Sequence, residues 1–323
     1  MKAIIHTKYG SPYNLKLQEI DKPIPKSNEV LIKVYASSVN SYDWDIITGK
    51  PLIYRLMFGL TKPKINQIGC DVAGIVEAKG SDVTQFEVGD EVLGDLSQLR
   101  FSTFAEYVCA TEHFIAKKPI NASFEQTAGI PHGAVLALQA LQNIQEIKPE
   151  HHILINGAGG SVGPFALQLA KLKGAKVTCV DSEQKLNLLQ SLGADYVIDY
   201  KKEDFTKNGK QYDLIIETVI KRSVFKHRKS LTLNGILVIV GGNVGKVLQT
   251  VIFGSLLAKV SNKRYGLLIH KLNSLDLKYL VQLFEEGKLQ TVIDKTYPLN
   301  ETANAMQYYG EGKAKGKLII KIG

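Results

Sequence analysis

The sequence has few cysteines and no apolar run long enough to span a membrane. Its three cysteines, Cys70, Cys109 and Cys179, are widely spaced and odd in number, which excludes a disulfide framework and gives no paired metal-ligand spacing. The longest apolar stretch, residues 247–260, is shorter than the ~20 residues that a spanning helix needs, and it contains Lys259. The first residues also lack the long apolar core of a signal peptide. We therefore expect a cytoplasmic protein with no transmembrane segment.

Acidic residues are fewer than basic ones. The chain has 31 Asp and Glu against 40 Lys and Arg, which gives a net charge of +9. A basic surface attracts phosphates regardless of sequence, but these lysines occur along almost the whole chain and no interleaved aromatic platform stands out among them. The charge therefore indicates solvated faces and the attraction of a polyanionic cofactor, and we expect no nucleic-acid partner.

The hydrophobic pattern changes along the 323 residues. Short alternating segments such as EVLIKVYASSV and VAGIVEA, broken by glycine turns, predict strands up to about residue 120. From His152 onward strands alternate with helices, which is typical of a doubly wound parallel sheet. The sequence thus predicts an α/β fold in which a β domain, residues 1–122 and 289–323, is interrupted by a dinucleotide-binding domain, residues 123–288.

A glycine-rich segment stands between the predicted strand HILIN and the predicted helix PFALQLAKLKG. Glycines allow a sharp turn, close approach of the backbone to a pyrophosphate and tight helix–strand packing, while the helix start offers unpaired amides. An acid, Asp181, ends the next strand 18 residues past Gly163, where the ribose contact of a dinucleotide fold belongs. The segment is predicted to bind a dinucleotide; the alternative is a turn needed only for packing. The predicted contacts are Gly157, Ala158, Gly159, Gly160, Ser161, Val162, Gly163 and Asp181.

The residues near Asp181 leave the type of nicotinamide cofactor open. Asp181 can accept hydrogen bonds from both ribose hydroxyls, which favours NADH, and would repel a 2′-phosphate. Ser182, Lys185 and Tyr200 can instead donate hydrogen bonds and positive charge to that phosphate, which favours NADPH. The alternative is that Ser182 only caps a helix and Lys185 is solvated.

The motifs NGAGGSVGPFALQLAK, SLGADYVIDYKKEDF, GCDVAGIVEAKGSDVTQFEVGDEVLG and GKAKGKLIIKIG, in this order, resemble the zinc-free quinone oxidoreductase branch of the medium-chain dehydrogenases. The resemblance covers nearly the whole chain. It implies a GroES-like β domain, a Rossmann domain and a homodimer, and it favours NADPH, with NADH possible because of Asp181. It also implies hydride transfer to a quinone or an α,β-unsaturated carbonyl.

The ligand motifs of the zinc alcohol dehydrogenases of this architecture are missing. Gly69-Cys70-Asp71 stands where those relatives have Gly-His-Glu, and we expect Cys70 to be a packed residue with no His partner and no metal. Without a metal the electrophile must already be activated, as in a quinone or enone. By match to the family segment Asn-Pro-x-Asp, the candidate catalytic residues are Asn40, Tyr42 and Asp43; the alternative for Tyr42 is a core aromatic.

Other positions carry weaker expectations. Leu136 replaces the Thr that the family places near the nicotinamide, and nearby His132 is either an acid or a structural residue. Glu217 is expected to line the groove at the carboxyl edge of the sheet. Further cofactor contacts are expected from Thr218, Gly241 and Gly242 at that edge, and from Lys317 in the β domain.

Two questions stay open. The apolar run of residues 251–258 either roofs a pocket, presses on a partner subunit or membrane surface, or forms a buried core helix. For function, the alternatives to a quinone or enone reductase are a non-enzymatic NADPH-binding protein with a redox-sensing or RNA-binding role, and a zinc-free alcohol dehydrogenase.

Overall fold

The computed structural model describes residues 1–98, 101–144 and 146–323. Contacts group these residues into two compact units, Met1–Val135 with Leu272–Gly323, and Leu136–Lys271. One segment of chain is thus inserted into another, as the pattern of the sequence indicates. The boundaries predicted at 122/123 and 288/289 follow the change in hydrophobic period, and they stay a prediction.

The first unit is built mainly of strands. Before the inserted unit its elements are β1 (Lys2–Ile5), β2 (Lys16–Glu19), β3 (Glu29–Ser38), α1 (Ser41–Thr48), α2 (Ile53–Phe58), β4 (Asp71–Lys79), β5 (Glu91–Asp95), β6 (Tyr107–Thr111), β7 (Ile115–Lys117) and α3 (Phe124–Ala128). The division between the units falls within α4 (Pro131–Leu141).

The second unit alternates strands and helices, and the chain then returns to the first. The second unit contains β8 (His152–Asn156), α5 (Gly163–Leu172), β9 (Lys176–Asp181), α6 (Glu183–Ser191), β10 (Tyr196–Asp199), β11 (Tyr212–Glu217), α7 (Val224–Lys229), β12 (Leu231–Ile239), α8 (Val244–Lys259) and β13 (Arg264–Leu267). The returning segment contains α9 (Ser274–Glu285), β14 (Ile293–Pro298), α10 (Thr302–Gly310) and β15 (Lys317–Lys321).

A seven-stranded sheet organises the first unit, in the order β14-β15-β3-β4-β5-β7 with β6 also paired to β3. Its pairs are antiparallel except β14 with β15. Alternate residues of β3, Val30, Ile32 and Val34, point into one apolar core, as expected from the period of two along a strand. The end of β3 at Ser38 therefore lies beside the start of β4 at Asp71, where the polar residues described below are found.

Six parallel strands form the sheet of the second unit, in the order β10-β9-β8-β11-β12-β13. Counted along the chain this is the order 3-2-1-4-5-6 of a doubly wound dinucleotide-binding fold. The predicted fold class is confirmed. Gly174 and Gly193 end α5 and α6 with positive φ (79° and 96°), as the leucine-rich stripes before them predict.

Helix α8 differs from its simplest interpretation as a buried core helix. Thr250, Gly254 and Leu257 face the interior, but Val251, Ile252 and Leu256 are exposed. The interpretation is wrong because both faces of the helix are apolar, so that periodicity cannot show which face is buried. Among the residues that the structure describes, no helix is long and apolar enough to cross a membrane.

Candidate functional site

The glycine-rich turn connects β8 to α5, as the sequence predicts, and its glycines serve different purposes. Gly157 has a positive φ of 79°, and a Cβ there would lie 2.2 Å from Thr218 Oγ1. A Cβ on Gly163 would lie 2.2 Å from the carbonyl oxygen of Ala158, so this glycine lets the helix pack against the turn. A Cβ on Gly160 would approach only the carbonyl oxygen of Gly157, at 3.4 Å. Gly160 is therefore not needed for packing, and it leaves open space beside the backbone.

Three hydrogen-bond donors in this turn, at Ser161 and Val162, have no acceptor within the described part of the chain. The amides of Gly157 and Ala158 donate to Val180, and that of Gly160 donates to Gly157. The buried hydroxyl of Ser161 has no partner, and neither this residue's amide nor that of Val162 donates to a described group. Unpaired amides at the start of a helix are the usual ligands of a phosphate. The turn therefore fits the pyrophosphate of a dinucleotide.

Asp181 ends β9 and is held by the turn itself. Its Oδ2 accepts the amide of Gly159 at 2.8 Å and its Oδ1 accepts the amide of Ser182 at 2.7 Å. Lys185, one turn into α6, places Nζ 3.7 Å from Asp181 Oδ1, and its buried stem lies where a Cβ on Gly159 would be. Tyr200 is exposed just after β10, and its amide donates to the Asp181 carbonyl. The structure thus brings the predicted adenosine-side residues together.

The carboxyl edge of the sheet also contains Thr218, Gly241 and Gly242. The hydroxyl of Thr218 donates to the carbonyls of Asn156 (2.9 Å) and Gly157 (3.2 Å), so it supports the glycine turn. Gly241 follows the end of β12. Gly242 has a positive φ of 119°, and a Cβ there would lie 2.3 Å from the amide nitrogen of Ile220, so this position needs glycine.

Glu217, at the end of β11, does not line this edge as expected. It is fully buried, and its carboxyl oxygens pair with Asn156 Nδ2 at 2.7 Å and His227 Nε2 at 2.6 Å. The expectation was wrong because the position at a strand end does not reveal a buried partner such as His227, on α7. Glu217 is a structural residue of the second unit.

In the first unit, Asn40 is the centre of a buried polar cluster. Its Nδ2 donates to Asp71 Oδ2 at 2.9 Å and to Cys70 Sγ at 3.3 Å, and its Oδ1 accepts from Lys317 Nζ at 2.8 Å. Lys317 also lies 3.2 Å from Asp71 Oδ2 and is 1% exposed. The side chain of Ser38 donates to the same Asp71 oxygen. Asn40 and Lys317 therefore contact each other and also share Asp71, an arrangement that the sequence alone does not show.

The other two candidate catalytic residues have different surroundings. Asp43 is buried at the start of α1, where it accepts the amides of Asn40 (2.9 Å) and Gly69 (3.1 Å), and burial raises the pKa of its carboxyl to about 7. Tyr42 is half-buried among aromatic rings, with Phe101 at 5.0 Å between ring centres. Burial raises the pKa of Tyr42, and the neighbouring Cys70 and Asp45 add to the effect.

Cys70 has a histidine neighbour, contrary to the expectation from the sequence. His132, at the start of α4, and Asp95, at the end of β5, place ligand atoms within 4.8 Å of one another and of the Cys70 sulfur. Burial would lower the pKa of His132, but the carboxyl of Asp95 outweighs it, so the pKa is raised. Burial and three nearby carboxyls raise the pKa of the Cys70 thiol. The expectation failed because His132 is distant in sequence and no linear motif joins it to Cys70.

The donor types of this trio suit zinc, but its arrangement does not. His132 Nδ1 and Asp95 Oδ2 are 2.7 Å apart and share a hydrogen bond, whereas two ligands of a tetrahedral zinc lie about 3.3 Å apart. Within the trio, His132 is paired with Asp95, and next to Cys70 the carboxyl of Asp71 is paired with Lys317. As arranged, the residues are satisfied by one another and do not fit a metal.

Known protein families match parts of both units. Residues 26–120 match the family described as alcohol dehydrogenase GroES-like domain, and residues 192–320 match zinc-binding dehydrogenase. A chloroplast envelope quinone oxidoreductase homolog of Arabidopsis thaliana is 34% identical over 99% of this chain and 98% of its own length. The chain belongs to the quinone oxidoreductase-like medium-chain dehydrogenases.

Two other members of this family are similar over the whole chain. The quinone oxidoreductase of Coxiella burnetii has a solved structure that superimposes with a TM-score of 0.90, at 31% identity, and covers 100% of this chain and 99% of its own. An NADPH-dependent alkenal/one oxidoreductase of Arabidopsis thaliana, a chloroplastic protein, is 32% identical over 99% of this chain and 79% of its own length. Membership of this family confirms a nicotinamide cofactor.

Proposed function

We propose that this protein is an enzyme that uses NADPH to reduce a quinone or an α,β-unsaturated carbonyl compound without a metal. The observation that carries the proposal is the turn Gly157–Gly163. Its unpaired donors, the Ser161 hydroxyl and the amides of Ser161 and Val162, are suited to bind the pyrophosphate of the cofactor. The relatives named as quinone oxidoreductase and as alkenal/one oxidoreductase supply the two substrate classes. NADPH, when bound, supplies a hydride ion; the acceptor takes this hydride and one proton.

Preference for NADPH rests on the surroundings of Asp181. Both oxygens of this carboxylate already accept amides, and Lys185 lies 3.7 Å away, so the acid is less available to repel a phosphate. We propose that Lys185, Ser182 and Tyr200 bind the 2′-phosphate, with Lys185 offering the charge. Use of NADH follows if Asp181 turns to the ribose instead.

The metal-free part of the proposal rests on the polar cluster of the first unit. Quinones and enones carry a conjugated oxygen that receives the negative charge, and a hydrogen bond suffices to stabilise it. Tyr42 is half-buried with a raised pKa, so its hydroxyl keeps its proton and can donate it. The Asn40 side chain is itself held in place by hydrogen bonds to Lys317 and Asp71, so it can orient a bound ligand. We propose Tyr42 as the donor, Asn40 as an orienting residue and Asp43 as the residue that holds their loop.

Consumption of NADPH by the purified protein tests this proposal directly. We expect loss of the cofactor's absorbance with simple quinones or with alkenals, and no oxidation of simple alcohols by NADP⁺. A Tyr42→Phe variant should reduce turnover while leaving NADPH affinity unchanged, with Tyr13→Phe, an exposed tyrosine, as the matched control. If no acceptor oxidises NADPH and RNA is instead bound tightly in moderate salt, the protein is a non-enzymatic binder.

The homodimer that the family resemblance implies stays a prediction, as does a cytoplasmic location. Light scattering of the purified chain would determine the oligomeric state.

A further inference from the structure

The excess of positive over negative charge in this protein comes from one segment. Residues 218–275 contain ten Lys and Arg and no Asp or Glu, whereas the rest of the chain contains 30 Lys and Arg and 31 Asp and Glu. The segment therefore accounts for the whole net charge. Its cations are Lys221, Arg222, Lys226, Arg228, Lys229, Lys246, Lys259, Lys263, Arg264 and Lys271.

Helix α8, in the middle of this segment, has an apolar outer face. Leu248, Val251, Ile252 and Leu256 are between 54% and 60% exposed, and together they form what we call the α8 outer face. The helical period places Ser255 and Lys259 on the same side. The opposite face buries Thr250, Gly254 and Leu257 and already packs on the second unit. The helix therefore exposes apolar residues that do not pack within the second unit, and such an exposed apolar patch in a folded protein marks an interaction surface.

Helix α7 adjoins the α8 outer face and adds both apolar surface and charge. The rings of Phe225 and Phe253 lie 5.6 Å apart, and Phe225 is 46% exposed. Lys226 and Lys229 of α7 and Lys259 of α8 are also exposed, and no carboxylate of the described chain lies within 4 Å of them. Elsewhere in the segment, Arg222 is paired with Asp204 and Lys263 donates to the carbonyls of Arg228 and Leu231. The lysines of α7 and the end of α8 thus remain available.

We propose that α7 and the α8 outer face dock on an anionic membrane surface, with the leucine, isoleucine and valine side chains in the acyl boundary and the lysines at the headgroups. An apolar helix face beside uncompensated lysines is the usual design of a helix that lies in the membrane interface. A second copy of this chain is a poorer partner, because it would bring the same unpaired cations. Nucleic acid is also poorer, since most of the exposed apolar side chains are aliphatic and only Phe225 and Phe253 offer rings on which bases stack.

Co-sedimentation with lipid vesicles tests the proposal. We expect the protein to bind vesicles of equal parts phosphatidylglycerol and phosphatidylcholine, and not to bind phosphatidylcholine alone. Raised salt should weaken the binding, because it screens the lysines. Lys226→Ala with Lys229→Ala should weaken partitioning by about fivefold for each lysine. Leu248→Gln with Ile252→Gln should weaken it by about tenfold for each side chain.

Matched variants outside the segment provide the controls. Lys16→Ala with Lys173→Ala, and Ile24→Gln with Ile120→Gln, change exposed side chains of the same types and should leave partitioning unchanged. Thermal unfolding of every variant shows whether it is folded; all substituted positions are exposed, so we expect unchanged midpoints.

Several outcomes would overturn the proposal. Equal binding to both vesicle types, binding to neither, or equal losses in test and control variants would overturn docking of this surface on an anionic membrane. A lower mass by light scattering for Leu248→Gln with Ile252→Gln would show that the α8 outer face joins two copies instead. A gel shift with single-stranded RNA that the two α7 lysine variants abolish, in the absence of vesicle binding, would assign the charge to nucleic acid.

Discussion

The carboxylate of Asp181 accepts the amide of Gly159 across 2.8 Å, so the acid at the end of β9 holds the turn that follows β8. An acid at this position is usually assigned to the ribose of NADH. Here its second oxygen is taken by the amide of Ser182, and Lys185 lies beside it. The type of residue at position 181 therefore does not decide the cofactor, and Lys185 becomes the residue to test.

Lys185→Met should weaken NADPH binding by about tenfold or more and change NADH binding little, since a charge-assisted hydrogen bond contributes about 1.5–3 kcal/mol. Methionine keeps a stem against Gly159, so the turn stays packed. Fluorescence titration with both cofactors measures the difference, and Lys176→Ala, an exposed lysine on β9, is the control. Equal losses for the two cofactors would remove Lys185 from the phosphate site.

Gly160→Ala and Gly163→Ala separate cofactor binding from stability. The new Cβ at position 163 would lie 2.2 Å from the Ala158 oxygen, so we expect the free energy of unfolding to fall by about 1–3 kcal/mol. At position 160 the Cβ has room within the protein but occupies the space left for a ligand. Gly160→Ala should therefore unfold at the wild-type temperature and bind NADPH more weakly. Chemical denaturation and cofactor titration of both variants check this; wild-type affinity in Gly160→Ala would contradict it.

Stability should fall as the pH rises toward neutrality because of Asp45. Burial raises the pKa of this carboxyl from 3.8 to about 7, even though the hydroxyl of Tyr54 partly offsets the effect. A raised carboxyl pKa contributes stability that is complete below the usual pKa and is lost as the pH rises through about 7. Asp45→Asn should reduce the loss of unfolding free energy between about pH 5 and pH 8, and the part of the loss that comes from Asp43 should remain. Urea denaturation across this range measures it, and an unchanged slope would show that Asp45 is not responsible.

The cluster of Cys70, Asp95 and His132 should contain no metal in the active enzyme. We expect the purified protein to hold far less than one zinc per chain by elemental analysis, and to keep its NADPH oxidation after treatment with a chelator. Cys70→Ser should then retain NADPH affinity, because the thiol is buried and protonated. Stoichiometric zinc that is lost in Cys70→Ser and in His132→Asn would refute the metal-free proposal.

Local features of the second unit could be predicted from the sequence because each depends on near neighbours. The turn Gly157–Gly163 lies between strand and helix as expected, and Gly174 and Gly193 close their helices. The spacing that brings Asp181 to the turn is also local to one strand–helix–strand unit. Here composition, periodicity and backbone geometry favour the same structure.

Features that join distant segments were not predictable. His132 is 37 residues from Asp95, and only the start of β4, the end of β5 and the start of α4 together bring these side chains to Cys70. Asn40 and Lys317 are 277 residues apart along the chain, yet both contact Asp71. The exposure of α8 likewise depends on which of two apolar faces meets the sheet. Motifs and hydrophobic periodicity describe neighbouring residues, so they do not show which distant segments come into contact.

The position of β15 has a consequence for synthesis. This strand lies between β14 and β3 in its sheet, and its Lys317 completes the cluster around Asn40. On the ribosome, the inserted parallel sheet can form while the end of β3, Ala36–Ser38, still lacks its partner strand. The end of β3 is thus among the last parts of its sheet to pair, and loss of β15 would leave Ala36–Ser38 without a partner strand and the buried Asp71 without its cation.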